Sequence, residues 1–407
     1  MNEKRMEQLK KIKRILQKCG KTAYWTMFLS MLIYRFLNTT LFFENIDVLY
    51  AGEGVISRIC TVLFLQPQAI IAVVVILLCL TEEPFHWKHT GITIAYCMLL
   101  LYCGQKTESD ALLSYLMLLP GAVHMDFEKL IKVDVLISTV LTVITMLCSF
   151  SGIIDNLTWD MGNGQVRMAF GFIYSTDFAA HIFFLMLGWW YLRQKKAGWK
   201  DAIFWLVVGA AVLKFSIARN SSALIAVAAI LMVYCDKIKK TDSLEKKILP
   251  AAPLICAAAV SGVSIFFNPV ISWMQQLDSW FSNRLLLVKR AIDIYGFRLW
   301  GASIPMTGNG SKTSSGELYY YIDSGYMQVS LLYGVILLVI VLCLLTWICQ
   351  KAAKQDQRIL LWIVAIACVH GMIEQHLFEL EYFPFFLVAF ANLKEKGQRE
   401  LLHGKEK

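Results

Sequence analysis

The chain has 407 residues, of which 57% are hydrophobic and only 17% are charged, and its formal net charge is +9. This composition excludes an ordinary water-soluble domain. The positive charge does not indicate nucleic-acid binding, because most Lys and Arg residues lie in short loops between apolar runs. The 11 cysteines lie mostly within apolar runs, so the sequence predicts neither a disulfide framework nor a C-x-x-C metal site.

The N-terminal segment, residues 1–21, is basic and places Leu9, Ile12, Ile15 and Leu16 at helical spacing. This pattern predicts an amphipathic helix on the cytoplasmic membrane surface, and the alternative is a partner-binding helix. The first apolar run is long and lacks a small-residue cleavage site, so we expect no cleavable signal peptide.

Apolar runs long enough to cross a bilayer recur through the rest of the chain, since a bilayer core of about 30 Å needs about 20 helical residues. They predict an all-α polytopic membrane protein with about 12 transmembrane helices. The approximate spans are 22–43, 56–80, 90–104, 110–125, 130–154, 169–192, 200–217, 221–235, 248–267, 326–349, 357–374 and 378–393. They form one membrane domain, residues 22–393, with an extracytoplasmic loop, residues 268–325, between spans 9 and 10.

Basic residues mark one side of this topology. They cluster in the N-terminal segment, in the loops near 193–200, 237–247 and 351–358, and in the tail, residues 394–407. With an even number of spans all five segments lie on the same side, which the positive-inside rule assigns to the cytoplasm. We therefore expect both termini in the cytoplasm.

The large loop between spans 9 and 10 is basic although it lies on the external side. It carries Arg284, Lys289, Arg290, Arg298 and Lys312. An anionic substrate at the outer membrane face would account for this charge. The alternative is a lipid-headgroup anchor, because interfacial aromatic residues accompany the basic ones.

Two further external segments place arginine at a helix start. Arg167 precedes a span that contains Asp177 and His181, which are either paired with each other or directed into a polar interior. Arg219 lies in a polar turn beside Asn220 and Ser221. This turn is either an anion site or a capped turn.

External acids and histidines are available for general-base chemistry near the C-terminus. Asp323 precedes a span and is either catalytic or a helix N-cap. His370, Glu374 and His376 follow later, but their spacing matches no recognised metal motif, so we expect no metal there.

In topology and in four short motifs the chain resembles the Wzy-like polysaccharide polymerases, which share a superfamily with the O-antigen ligases. Arg167-x-x-Phe170-Gly171-Phe172 with Asp177 is similar to the family's R-x-x-F/L-G-F-x-x-x-N stretch, and Ala218-Arg219-Asn220-Ser221 to its S-R-[ST] helix start. The R-x10-G loop motif is matched by Arg290 and Gly301, and the [DN]-x-x-Y/F-L…G motif by Asp323 through Tyr326 to Gly334. Ile322 occupies the position where the ligases carry a histidine, which argues against a ligase.

The resemblance implies a metal-independent glycosyltransferase in the cytoplasmic membrane of a bacterium. Such enzymes join oligosaccharide repeat units carried on undecaprenyl pyrophosphate into capsule, exopolysaccharide or O-antigen. It implies substrate contacts by Arg167, Arg219, Arg284, Arg290 and Tyr326, with Asp323 or His376 as the base. It implies no cofactor. The partners would be the lipid-linked oligosaccharide, membrane lipid, and the flippase and chain-length regulator of the same pathway.

Other classes remain open from the sequence: a flippase of lipid-linked oligosaccharide, a ligase-like glycan transferase, and a receptor or scaffold. A flippase predicts basic groups along a path through the helices. Here the mid-helix charges are few, such as Arg35, Asp177 and Lys214, and the external loop is large. These features favour the polymerase.

Overall fold

Helices dominate the structure, a computed structural model that describes residues 3–42, 67–81, 85–107, 109–162, 164–237, 243–308 and 320–393. The α-helices are α1 (Glu3–Asn38), α2 (Pro67–Leu80), α3 (Trp87–Gly104), α4 (Ala111–Leu118), α5 (Phe127–Phe150), α6 (Ser175–Arg193), α7 (Trp199–Ser216), α8 (Arg219–Lys237), α9 (Ser243–Ile248), α10 (Ala252–Phe266), α11 (Ser272–Trp280), α12 (Arg284–Tyr295), α13 (Gly325–Gln328), α14 (Val335–Lys354) and α15 (Arg358–His370). Shorter 3-10 helices are Pro120–His124, Gln194–Lys196, Leu249–Ala251, Gln375–Phe378 and Pro384–Ala389, and a π-helix spans Val329–Tyr333. Strands β1 (Thr158–Asp160) and β2 (Val166–Met168) form one antiparallel hairpin, with Trp159 opposite Arg167.

Several helices have the length and polarity of membrane spans. Within the described residues, four stretches are long and apolar enough to cross a bilayer: Phe127–Phe150, Arg219–Lys237, Leu244–Phe266 and Val335–Lys354. In its middle turns helix α5 buries Asp134, Ser138 and Thr142 and exposes Leu136 and Leu147. A helix with polar groups inside and apolar groups outside suits a lipid environment. The fold is therefore consistent with the predicted all-α membrane protein.

The predicted number of 12 spans is not confirmed, and the helix boundaries differ in three places. Helix α1 runs without interruption through the predicted surface segment 1–21 and into the first span. The predicted span 326–349 breaks at Gly334, so that its spanning helix begins at Val335. The predicted span 378–393 contains a 3-10 helix, Pro384–Ala389, in place of a spanning α-helix. The start of the predicted span 56–80 and the tail 394–407 lie outside the described residues.

The helix ends define two opposite ends of the bundle. At one end Thr40 pairs with Phe172, and the Arg167 Nε donates to the Ser216 carbonyl at 3.0 Å. At the other end the buried Arg358 guanidinium contacts the Glu245 carboxylate at 2.7 Å. The basic loops near 193–200 and 351–358 lie at this second end, away from the polar segments that precede α6, α8 and α13.

Two motif glycines let the large loop pack backbone against backbone. Gly301 has φ +81° and Gly334 has φ +98°. The Val335 N–H donates to the Arg298 carbonyl at 3.0 Å, and the Ala302 N–H to the Leu332 carbonyl at 3.1 Å. A Cβ at Gly334 would overlap the Leu299 carbonyl and the Gly301 nitrogen. The glycines of two separate sequence motifs thus meet at one crossing.

We expect Gly334→Ala to destabilise the protein strongly. A positive φ costs a non-glycine residue about 1–3 kcal/mol, and the backbone contact adds to this cost. Monodispersity and unfolding temperature in detergent measure the effect. Gly262→Ala in α10 is the control, because no atom lies within 4 Å of a Cβ built there. A Gly334→Ala variant as stable as the wild type would contradict the close backbone contact between the segments that contain Gly301 and Gly334.

Candidate functional site

A polar cavity of about 340 Å³ opens between the β1–β2 hairpin, α6, α12 and the segments that precede α13 and follow α15. The β1–β2 hairpin brings Arg167, the first turn of α6 brings Asp177, and the segment before α13 brings Asp323. The start of α12 and the segment after α15 complete the wall with Arg284, Glu374 and His376. Six residues singled out in the sequence therefore line one cavity, which we name the acidic cavity: Arg167, Asp177, Arg284, Asp323, Glu374 and His376.

Arg284 is held firmly at the wall of the acidic cavity. Its Nη1 donates to the Ile373 carbonyl at 2.9 Å, its Nε lies 3.4 Å from the Asp323 Oδ2, and its Nη1 lies 3.7 Å from the Glu374 Oε1. The Asp278 carboxylate fixes the start of α12 by accepting from the Leu285 N–H at 2.8 Å. Asp323 is not the N-cap of α13, which is Ser324, so the capping alternative does not account for its carboxylate.

His376 lies between two carboxylates. Its Nε2 is 3.2 Å from the Asp177 Oδ1, and its Nδ1 is 3.5 Å from the Glu374 Oε2. The same Glu374 oxygen lies 3.2 Å from the His370 Nε2, and the Ser221 Oγ lies 3.1 Å from that nitrogen. Five polar side chains from α6, α8 and the segment 370–376 thus form one buried cluster, Ser221–His370–Glu374–His376–Asp177.

The pairing of Asp177 with His181, one of the alternatives from the sequence, is wrong. Asp177 lies in the first turn of α6 and faces His376. His181 lies one turn deeper, where its Nε2 is 3.0 Å from the Thr39 hydroxyl and its ring stacks on Tyr382 with centroids 4.1 Å apart. Asp177 therefore has the polar interior role that the sequence also allowed.

The electrostatics of the acidic cavity follow from burial and neighbouring charges. Burial raises the pKa of Asp323, although Arg284 opposes the shift. Burial would also raise the pKa of Glu374, but His370, His376 and Arg284 outweigh it and hold that pKa well below its usual range. Burial would lower the pKa of His376, yet Asp177 and Glu374 raise it to about 10.

Two further cavities adjoin the first. A cavity of about 300 Å³, which we name the basic cavity, is lined by Arg167, Arg219 and Arg284 together with Trp280 and Phe281. An apolar cavity of about 360 Å³ lies between α10, α11, α12 and α15, and its lining includes Val260, Val263, Leu277, Val288, Val369 and Met372. Arg284 lines all three cavities.

Two predicted substrate contacts lie outside these three cavities. Arg290 is exposed on another face of α12. Tyr326 is fully buried in the core, where its hydroxyl donates to the Cys368 carbonyl at 3.2 Å. Lys312 lies outside the described residues. The sequence analysis did not single out Tyr321, which lines the acidic cavity, because no motif marks it.

Comparisons with known protein families, with curated proteins and with solved structures found no match to this chain. The case for a function therefore rests on the geometry of the three cavities and on the motif resemblance.

Proposed function

We propose that this protein polymerises undecaprenyl-pyrophosphate-linked oligosaccharide repeat units into a surface polysaccharide, releasing undecaprenyl pyrophosphate. The observation that carries the proposal is that Arg284 lines three adjoining cavities of different chemistry. A lipid-linked glycosyl pyrophosphate also has three parts of different chemistry, namely the sugars, the pyrophosphate and the lipid. The sugars suit the acidic cavity, the pyrophosphate suits the basic cavity, and the lipid suits the apolar cavity.

In the proposed reaction a hydroxyl of the incoming unit attacks the anomeric carbon of the growing chain. A carbon–oxygen bond forms there, and the bond from the same carbon to the pyrophosphate oxygen breaks. Arg167, Arg219 and Arg284 would stabilise the charge on the leaving pyrophosphate, since guanidinium groups are permanently charged and bind phosphates in a bidentate way. The bond energy comes from the glycosyl pyrophosphate itself.

The proton of the attacking hydroxyl needs a base, and the geometry favours Asp323 over His376. Asp323 lines the acidic cavity, and its Oδ2 has no hydrogen bond of good geometry among the described residues. The His376 ring instead lies between two side chains of the protein, with its Nε2 3.2 Å from the Asp177 Oδ1 and its Nδ1 3.5 Å from the Glu374 Oε2. His376 is better suited to holding Asp177 and Glu374 in place.

The proposed location is the cytoplasmic membrane of a bacterium, with the three cavities at the external face. The basic loops at the opposite end of the bundle support this orientation through the positive-inside rule. The same clustering of Arg167, Arg219 and Arg284 at one end favours a polymerase over a flippase, which needs charges along a path through the helices. A ligase-like transferase remains the alternative that shares this chemistry.

Deleting the gene in its native host tests the proposal. Long surface polysaccharide should disappear from gels while single lipid-linked units accumulate at the external face. Accumulation confined to the cytoplasmic face would indicate a flippase. Intact long polymer that is no longer transferred to its final acceptor would indicate a ligase, and an unchanged profile would overturn all three assignments.

Filling the apolar cavity should impair the reaction without unfolding the protein. We expect Val263→Trp to lower polymer yield by about tenfold, equivalent to about 1.4 kcal/mol, because the indole ring would occupy the space proposed for the lipid. Ile265→Trp on the exposed face of the same helix is the matched control. Polymer length and yield are measured at equal membrane expression. Equal yields from the two variants would contradict the assignment of the lipid to this cavity.

A further inference from the structure

The buried trio His370, Glu374 and His376 has the arrangement of a metal site. The ligand atoms of the three side chains all lie within 4.8 Å of one another, and all three residues are buried. A tetrahedral zinc ion with bonds of about 2.1 Å sets its ligand atoms about 3.4 Å apart. The Glu374 Oε2 lies 3.2 Å from the His370 Nε2 and 3.5 Å from the His376 Nδ1, which matches two such edges. The third edge, between the two histidine nitrogens, lies within the same 4.8 Å limit.

Two features beyond the trio support an ion at this place. The Glu374 Oε2 and the His376 Nδ1 are buried 3.5 Å apart without a hydrogen bond of good geometry within the described ranges, so an ion between them would contact both atoms. The other nitrogen of His376, Nε2, lies 3.2 Å from the Asp177 carboxylate. Histidines that ligate metals almost always donate their second ring N–H to such a group, which fixes the ring and strengthens the ligand.

The charges around the trio and its position beside the acidic cavity also favour a bound cation. Asp177 and Glu374 place two carboxylates against the imidazoles of His370 and His376, and Arg284 lies near the other oxygen of Glu374, Oε1, at 3.7 Å. A divalent cation would balance the carboxylates without displacing Arg284. Glu374 and His376 line the acidic cavity, which gives an ion a route inward.

We propose that His370, Glu374 and His376 bind one divalent transition-metal ion, with Asp177 orienting His376 and an open coordination position facing the acidic cavity. Two histidines and one carboxylate are a ligand set used by zinc and by other borderline divalent metals, and zinc is the probe of choice. The proposal reverses the expectation from the sequence, because the spacing of the three residues does not reveal that the turn after α15 folds them together. It does not depend on the proposed glycan chemistry.

Zinc content of the full-length protein tests the site directly. The detergent-purified protein would be stripped with a chelator, reloaded with zinc chloride, desalted and analysed for metal. We expect one zinc per chain in the wild type and in His89→Gln, an exposed histidine outside the trio. We expect Glu374→Gln and His376→Gln to lose the ion. Asp177→Asn should retain the ligands but bind about tenfold to a hundredfold more weakly.

Thermal unfolding with and without zinc separates binding from folding. Zinc should raise the unfolding temperature of the wild type but not of Glu374→Gln, provided that the variant unfolds in a single transition without metal. Less than a stoichiometric amount of zinc in the wild type overturns the proposal whatever the variants do. Undiminished zinc in both Glu374→Gln and His376→Gln overturns it as well.

Discussion

Replacing Arg284 with glutamine should severely slow polymer formation when variant and wild type are compared at equal amounts of folded protein. Arg284 lines all three cavities, so its guanidinium is placed to contact the pyrophosphate as charge develops there. Removing one preorganised group that stabilises transition-state charge costs about 10²–10³-fold in rate. Arg284→Lys should also be impaired, because an ammonium lacks the planar fork that holds two phosphate oxygens.

The measurement is the rate of chain extension with purified lipid-linked repeat units in detergent or vesicles. Lys289→Gln is the control on the same helix: the Lys289 ammonium lies 2.7 Å from the Asp293 carboxylate in a partly exposed pair of the kind that contributes little stability. A fully active Arg284→Gln variant would contradict the proposed role of Arg284 in binding the pyrophosphate. Arg290→Gln is a further test. Because Arg290 lies outside the three cavities, a loss of activity in this variant would indicate an additional substrate contact.

Replacing Asp323 with asparagine should slow the transfer by about 10²–10⁴-fold, the contribution typical of a positioned general base. Asparagine keeps the shape of the side chain but cannot accept the proton of the attacking hydroxyl. Asp293→Asn, on the exposed face of α12, is the matched control. Substrate affinity should change little in Asp323→Asn, so the loss should appear in the rate at saturating substrate.

The pH profile gives a second check on Asp323. A general base works in its deprotonated form, and burial raises the pKa of this carboxyl. Activity should therefore fall as the pH drops through a value above the usual range for aspartate. A profile that stays flat well into the acid range, or a wild-type rate in Asp323→Asn, would exclude this residue as the base.

The sequence singled out several residues that line the acidic cavity, but it did not predict which side chains they contact. Hydropathy identifies the helices because burial in lipid requires long apolar runs, and charge bias in loops identifies Arg167, Arg219 and Arg284 as unusual. Partners depend on tertiary packing. Asp177 and His181 are four residues apart on one helix, yet the carboxylate pairs with His376, which is 199 positions away in the chain.

Boundaries were missed where backbone geometry rather than hydropathy decides them. The apolar run through residues 326–349 does not reveal that Gly334, with φ +98°, ends one helix and starts another. Nor does apolar content alone show that residues 378–393 form 3-10 turns around Pro384. Both irregular segments pack in the protein core, where neighbouring groups satisfy the backbone that a lipid-facing segment would leave unpaired.

Helix α1 has a practical consequence for imaging this protein. It contains 36 residues in one unbroken helix. At 1.5 Å per residue it is about 54 Å long, whereas the bilayer core is about 30 Å thick. Its C-terminal end is anchored at the cavity end of the bundle by the pairing of Thr40 with Phe172. About 20 Å of helix should therefore extend beyond a bilayer-thick layer at the opposite end of the bundle. A soluble domain joined to it through a continuous helical linker would tumble with the bundle as one body, supplying the asymmetric mass that particle alignment needs.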